Sequence, residues 1–313
     1  MIDVLRSTGL VTVQDLGWET GRAVGLPQGG AIDPPALMAA NVLAGNEVGA
    51  AGLEIGAGSI TLRFAAPGVI AATGSVWLSI DENERMPWTG QRIPAEATVT
   101  VRTGATGRFG YLAVGGGLDV PPTLGSRATY LPIGIGGLDG RRLRSGDRLP
   151  TGPSDQQVKA GRRLDPEEVT PTGPIRVIRG PQAHLFSETT LRALEIGEYV
   201  VSPTSDRMGT RLKGPSLAPV VKAALPSEAA CPGALQIPDD GQPIAILADG
   251  PTVGGYPKIG VIISADLPRF GQCGPETPIR FEWVSIAEAQ RLRMEWLGRL
   301  TGALTGLRQP RSE

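Results

Sequence analysis

Four segments of this 313-residue chain crowd charged and amide side chains among glycines. A backbone can fold closely around a small ligand in such places. The first is Val13-Gln14-Asp15-Leu16-Gly17, followed by Pro27-Gln28-Gly29-Gly30-Ala31-Ile32-Asp33. The second is Gly115-Gly116-Gly117-Leu118-Asp119-Val120, followed by Leu124-Gly125-Ser126-Arg127-Ala128-Thr129. The third is Ser205-Asp206-Arg207-Met208-Gly209-Thr210-Arg211-Leu212. The fourth joins Pro232-Gly233-Ala234-Leu235-Gln236-Ile237-Pro238 to Asp249-Gly250-Pro251-Thr252-Val253-Gly254-Gly255-Tyr256-Pro257-Lys258. Each carries two readings. Arg207 and Arg211 can grip a carboxylate or phosphate through the guanidinium fork. Equally, Asp206 can cap a turn and Arg207 can complete an ion pair. Asp249 follows the apolar run Ile244 to Ala248, so its carboxylate either forms a turn or reaches a metal or a substrate N–H. Gly254-Gly255 suits close approach to a ligand and a tight hairpin alike. Lys258 either neutralises phosphate or is a solvated charge. Glu54 and Arg127 are further candidates, and Asp33 reads as a helix cap. Neither long string can hold an anion alone, so Asp206, Arg207, Asp249, Tyr256 and Lys258 are expected to converge on one cleft.

Several chemistries are excluded. The single histidine, His184, cannot build a His-rich zinc site, and it reads as structural or exposed. There is no Gly-x-Ser-x-Gly elbow and no P-loop. The glycine runs at 115–117 and 134–137 can cradle phosphate, but neither leads into a convincing helix, so both read as turns. Thirty basic residues against thirty-one acidic ones give no basic excess for nucleic acid or an anionic membrane. Cys231 and Cys273 cannot form a disulfide framework, and a cytoplasmic location is expected. The first residues predict no signal peptide, and no apolar run is long enough to span a bilayer. No metal ligands are assigned.

The elements that must position these residues are mostly strands. Forty-four glycines and 28 prolines separate short apolar, β-branched runs, a pattern of sandwiches and barrels. Strands are predicted at 69–73, 76–80, 98–102, 111–114, 175–178, 199–202, 244–248, 259–264 and 279–283. Helices are predicted from Pro34 to about Ala44, after Ser187, and after Ser285, where Ser285 and Glu288 form a capping box. Residues 301–313 show no periodicity and are expected to be a mobile tail. The Pro-, Gly- and charge-rich stretch 151–172 divides the chain into β domains at 1–160 and 161–300. The strings Leu53-Glu54-Ile55 and Ile70 to Gly74 have echoes in Leu235-Gln236-Ile237 and Ile246 to Gly250, which suggests two similar domains.

The Ser205 to Leu212 and Gly254 to Lys258 strings resemble the allophanate hydrolase subunit 2 family, the biotin-dependent carboxyltransferases, and the likeness runs from about Val4 to Gln290. The family includes the C subunit of bacterial 5-oxoprolinase, an antagonist of a sporulation-kinase inhibitor, and the carboxyltransferase part of urea carboxylase. The resemblance implies a mainly β fold of two cyclophilin-like barrel domains with a few short helices. Gly254-Gly255-Tyr256-Pro257-Lys258-Ile259 is nearest the 5-oxoprolinase branch. That branch implies ATP and Mg2+, 5-oxoprolinase subunits A and B as partners, and phosphorylation of 5-oxoproline before ring opening. Under this resemblance Asp206, Asp249 and Lys258 are the catalytic candidates. Arg207, Arg211, Tyr256, Gly254, Gly255, Arg127 and Glu54 are the candidates for holding substrate or phosphate. Asp249-Gly250-Pro251-Thr252 departs from that branch and is similar to the urea-acting one, which implies carboxyl transfer from carboxybiotin to urea or a related amide. No Met-Lys-Met site is present, so biotin would ride on another chain. A regulatory partner of a kinase inhibitor is the third reading.

Overall fold

A computed structural model describes residues 1–104, 107–154, 160–220 and 225–308. The chain forms two compact units. One comprises Met1–Trp18, Gly29–Thr170 and Arg299–Glu313, and the other comprises Glu19–Gln28 and Pro171–Gly298. The break at Thr170/Pro171 falls inside the stretch marked out by its composition. The exchange of residues 19–28 and of the C-terminal residues depends on long-range contacts, which composition does not carry.

In the first unit a nine-stranded sheet is built from β1 (Ile2–Gln14), β2 (Gly52–Phe64), β3 (Gly68–Gly74), β4 (Val76–Ile80), β5 (Asn83–Arg85), β6 (Gly90–Ile93), β7 (Thr98–Thr103), β8 (Phe109–Val114) and β9 (Arg148–Leu149). The order is β5-β4-β7-β2-β8-β3-β6, with β1 along β2 and β9 on β1. The centre is β2. Its residues 53–56 pair with β8, residues 59–63 pair with β7, and its whole length pairs with β1. A strand that changes partners halfway must curl, and glycines allow the bend. A Cβ on Gly58 would lie 2.0 Å from the Thr8 carbonyl oxygen, and Gly9 opposite it has φ +73°. The curled sheet encloses an apolar core that includes Val11, Val13, Leu53, Ile55, Leu62, Val99 and Leu112.

In the second unit the strands are β10 (Ile175–Arg179), β11 (Tyr199–Val201), β12 (Gly209–Lys213), β13 (Glu228–Ala229), β14 (Ala234–Gln236), β15 (Ile244–Ile246), β16 (Val253–Gly254), β17 (Lys258–Ile262), β18 (Pro278–Ile279) and β19 (Phe281–Trp283). Eight form a sheet of order β18-β11-β12-β15-β14-β17-β10-β19, while β13 and β16 form a separate ribbon. The two edges, β18 and β19, are consecutive in the chain around Arg280. One short passage of chain therefore pairs with both ends of the sheet and closes it into a barrel. Tyr199 and Phe281 meet edge to face in its core, with ring centroids 5.8 Å apart. Burial pushes the Tyr199 hydroxyl up to about 12. The protein is thus mainly β, with two curled, barrel-like sheets.

The helices are α1 (Pro34–Leu43), α2 (Glu188–Ile196), α3 (Leu267–Gly271) and α4 (Ile286–Arg308). Asp33 accepts from the Ala36 N–H at 3.2 Å, and Ser187 from the Thr190 N–H at 3.1 Å, so both expected caps form. Ser285 caps Glu288 N–H at 3.1 Å. The Glu288 carboxylate, however, turns to Arg291 rather than back to close a capping box. α4 runs past Thr301 to Arg308, which corrects the expected tail over 301–308. Leu300, Leu304 and Leu307 continue a buried stripe, and Arg162 donates to the Leu307 carbonyl near its end. Residues 309–313 lie outside the described residues. No helix among the described residues is long and apolar enough to cross a membrane.

The N-cap region of α3 holds an ionic knot. Asp266 is fully buried and accepts from the Arg176 backbone N–H and guanidinium and from Arg269. Burial opposes its ionisation, but these donors outweigh burial and hold the carboxyl below its usual range. A depressed folded-state pKa contributes stability above the unfolded value, about 3.9, that is lost as pH falls through the folded value. The unfolding midpoint should therefore drop as pH falls below about 4. Asp266→Asn should lower the midpoint at neutral pH and flatten the acid limb. An acid limb as steep in the variant as in the wild type would count against the knot.

Candidate functional site

The Ser205 to Gly209 string forms a turn into β12. Asp206 Oδ1 accepts from Met208 N–H at 2.8 Å and from Gly209 N–H at 3.1 Å, a local arrangement that shapes the chain. Arg207 is buried and bidentate to Asp249, with Nε and Nη2 each 2.8 Å from a carboxylate oxygen. The Asp249 N–H donates to the Arg207 carbonyl at 3.1 Å. Arg207 and Asp249 thus occupy each other, and Asp206 is spent on a turn. This geometry favours scaffold over the catalytic roles considered for Asp206 and Asp249 and the anion-binding role considered for Arg207.

Lys258 sits elsewhere. It begins β17, in register with Gln236 of β14, which is in register with Ile244 at the start of β15. The Arg207–Asp249 pair lies beyond the other end of β15, past Gly209 and Ile246. The two strings therefore form separate clusters rather than the single cleft expected. Sequence spacing could not reveal this, because the register of β14, β15 and β17 decides it.

Around Lys258 three residues close a hydrogen-bonded ring, with Gln236 and Gly254 beside it. Lys258 is buried, and its Nζ donates to Glu228 Oε1 at 2.5 Å. The same oxygen accepts Gln182 Nε2 at 2.6 Å, and Gln182 Oε1 accepts the Lys258 N–H at 3.2 Å. Glu228 of β13 stands opposite Gly254 of β16. A Cβ on Gly254 would lie 2.6 Å from Gln236 Nε2, so any side chain there would displace that amide. Arg22, from the segment that belongs to this unit, donates to the Ala230 carbonyl and at 3.4 Å to that of Thr252. It thereby ties down the β13–β16 ribbon. Hydrogen bonds from Lys258 and then Gln182 hold the Glu228 carboxyl below its usual range. The ring and the Gln236 beside it therefore offer a fixed cation, a half-exposed carboxylate and a buried amide donor. That set can orient a small polar molecule and stabilise developing negative charge on an oxygen.

The remaining candidates lie apart from these contacts. Tyr256 is 48% exposed. Gly255 follows the ribbon strand. Arg211 lies on β12 with its side chain exposed, in register with Ile244. Glu54 and Arg127 belong to the first unit. Glu54 is buried, with Oε2 accepting the Tyr111 hydroxyl at 2.8 Å and the Ile32 N–H at 2.9 Å. Burial, with the Glu54 and Asp33 carboxylates nearby, pushes the Tyr111 hydroxyl well above its usual range. Arg127 donates from Nε to the Val120 carbonyl at 2.8 Å and pairs with Asp119 at 3.0 Å, so it clasps its own loop. His184 is exposed.

Sequence reasoning missed Glu228 and Gln182 and left Gln236 out of the site. Pro226-Ser227-Glu228-Ala229-Ala230 has no periodicity, and Glu228 matters only because β13 pairs with β16. Gln236 did carry a signal, an amide in an otherwise apolar strand between Leu235 and Ile237.

The chain thus has two curled, barrel-like β units, and the second carries the Lys258–Glu228–Gln182 contacts. The chain belongs to the family described as carboxyltransferase domain, subdomain A and B, whose model matches residues 24–283. It is 39% identical to the C subunit of 5-oxoprolinase from Escherichia coli, over 94% of this chain and 95% of that protein. It is 34% identical to the protein of the same name from Haemophilus influenzae, over 94% of each. Among solved structures it matches the urea carboxylase of Kluyveromyces lactis with a TM-score of 0.87 at 26% identity. That match covers 99% of this chain but 30% of the larger enzyme.

Proposed function

We propose that the chain is the C subunit of a cytoplasmic, ATP-dependent 5-oxoprolinase and acts with A and B subunits on 5-oxoproline. The observation that carries this reading is the match, nearly end to end in both chains, with subunits named for that activity. The Lys258 ring supplies suitable chemistry. A lactam is a poor electrophile, and phosphorylating its oxygen creates a good leaving group. Lys258 and the Gln236 amide are donors suited to that oxygen, and the ionised Glu228 can accept from a ring N–H. ATP enters as a substrate, with Mg2+ on its phosphates.

A second reading is carboxyl transfer from carboxybiotin, carried on another chain, to urea or a related amide. The urea carboxylase likeness and the Asp249-Gly250-Pro251-Thr252 string favour it. The readings part on biotin. Under the first, ATP-dependent 5-oxoproline hydrolysis by the assembled complex is indifferent to avidin and needs no bicarbonate. Inhibition by avidin, or ATP hydrolysis that requires bicarbonate, would transfer support to the second.

A further inference from the structure

Among the described residues, two buried side-chain atoms lack a hydrogen-bond partner, and one of them is Gln236 Nε2. A buried donor left unpaired is costly unless something occupies it in the working state. Gln236 is 6% exposed, and its amide lies over Gly254. Directly opposed residues in an antiparallel pair share one face, with Cβ atoms about 5 Å apart. Gln236 therefore stands beside Lys258, and Gly254 stands beside Glu228. Glu228 Oε1 is taken by Lys258 and Gln182, while its Oε2 has no hydrogen-bond partner among the described residues. An orphaned donor and an uncommitted acceptor thus border the same glycine.

We propose that Gln236 and Glu228 read the two polar edges of one small amide: Gln236 Nε2 donates to its carbonyl oxygen, and Glu228 accepts from its N–H. This rests on the reading of the substrate as a small amide and deepens it. A lactam ring forces C=O and N–H onto the same side, and urea presents them side by side. An open-chain secondary amide is trans and points them apart. The pair therefore selects lactams and ureas against peptide-like amides. Gly254 places no side chain over the Gln236 amide, and Lys258 adds charge beside the carbonyl oxygen. A site built around such donors rejects a ligand that leaves them unpaired.

The test uses the assembled complex and Gln236→Met, which keeps the volume and removes the donor. On 5-oxoproline, kcat/KM should fall on the order of a hundredfold. The melting temperature should hold or rise, because an unpartnered buried polar group has been replaced by an apolar one. N-methyl-5-oxoproline, which lacks the N–H, should be a poor substrate of the wild type. Wild-type turnover by Gln236→Met, a lower melting temperature in that variant, or ready turnover of the N-methyl analogue would overturn the proposal. If the wild type ignores 5-oxoproline but carboxylates urea, the function reading fails, and Gln236→Met is judged by its rate on urea. Activity on neither amide overturns both.

Discussion

Arg207→Ala should destabilise the chain by about 3–5 kcal/mol, seen as a lower denaturant midpoint. Both partners of the Arg207–Asp249 bridge are nearly inaccessible, with side-chain exposures of 5% and 4%. Removing the guanidinium strands a carboxylate in a low-dielectric interior, and desolvation rather than lost attraction dominates the cost. Asp249 is then left without its counter-ion in the turn between β15 and β16. Replacing both partners together with apolar residues of similar volume should cost far less than either single change, since no charge is left behind. A midpoint unchanged in Arg207→Ala, with turnover reduced instead, would restore Arg207 to the substrate site.

Lys258→Met should do the reverse. Turnover by the assembled complex should fall by about 3 kcal/mol in barrier, or roughly a hundredfold, while stability changes little. The asymmetry follows from burial. Lys258 is buried, but its partner Glu228 is 43% exposed, so the carboxylate left behind can be hydrated. Methionine fills the stem's volume. Normal turnover in this variant would make the ring a structural feature. A large loss of stability would show that the Glu228 contact belongs to the scaffold.

The fold was legible in part, for identifiable reasons. Val76–Ile80 matches its expected strand residue for residue because it is short, apolar and bracketed by turn residues. The longest strands, β1 and β2, lack a continuous signal. Thr8-Gly9 and Gly56 to Gly58 interrupt their alternation where bulges let the sheet curl. The run 279–283 proved to be two strands split at Arg280, since closure of the barrel needs a change of partner there. Of the strings in the internal echo, the first lies on β2 in one unit and on β14 and the residue after it in the other. The second lies on β3 in one unit and runs from the end of β15 into a turn in the other.

The site was less legible. Local patterns exposed Asp206, Arg207, Asp249 and Lys258 as unusual residues but could not say which partner each would find. Arg207 found a buried carboxylate 42 positions away, and Lys258 found Glu228, 30 positions away. Such pairings are set by strand register, which follows from the patterning and turns of several strands together and not from the string around either residue. The Gly254 to Lys258 string was informative for a physical reason. It combines a cation at a strand start with a glycine that a neighbouring amide needs.

The most direct test is to assay glutamate formation from 5-oxoproline and ATP, with the A and B subunits supplied and this chain added or withheld. No glutamate should form from this chain alone and none from A and B without it, whereas ATP-dependent glutamate should appear when all three are present. Glutamate formed at the full rate by A and B without this chain, or by this chain alone, would contradict it.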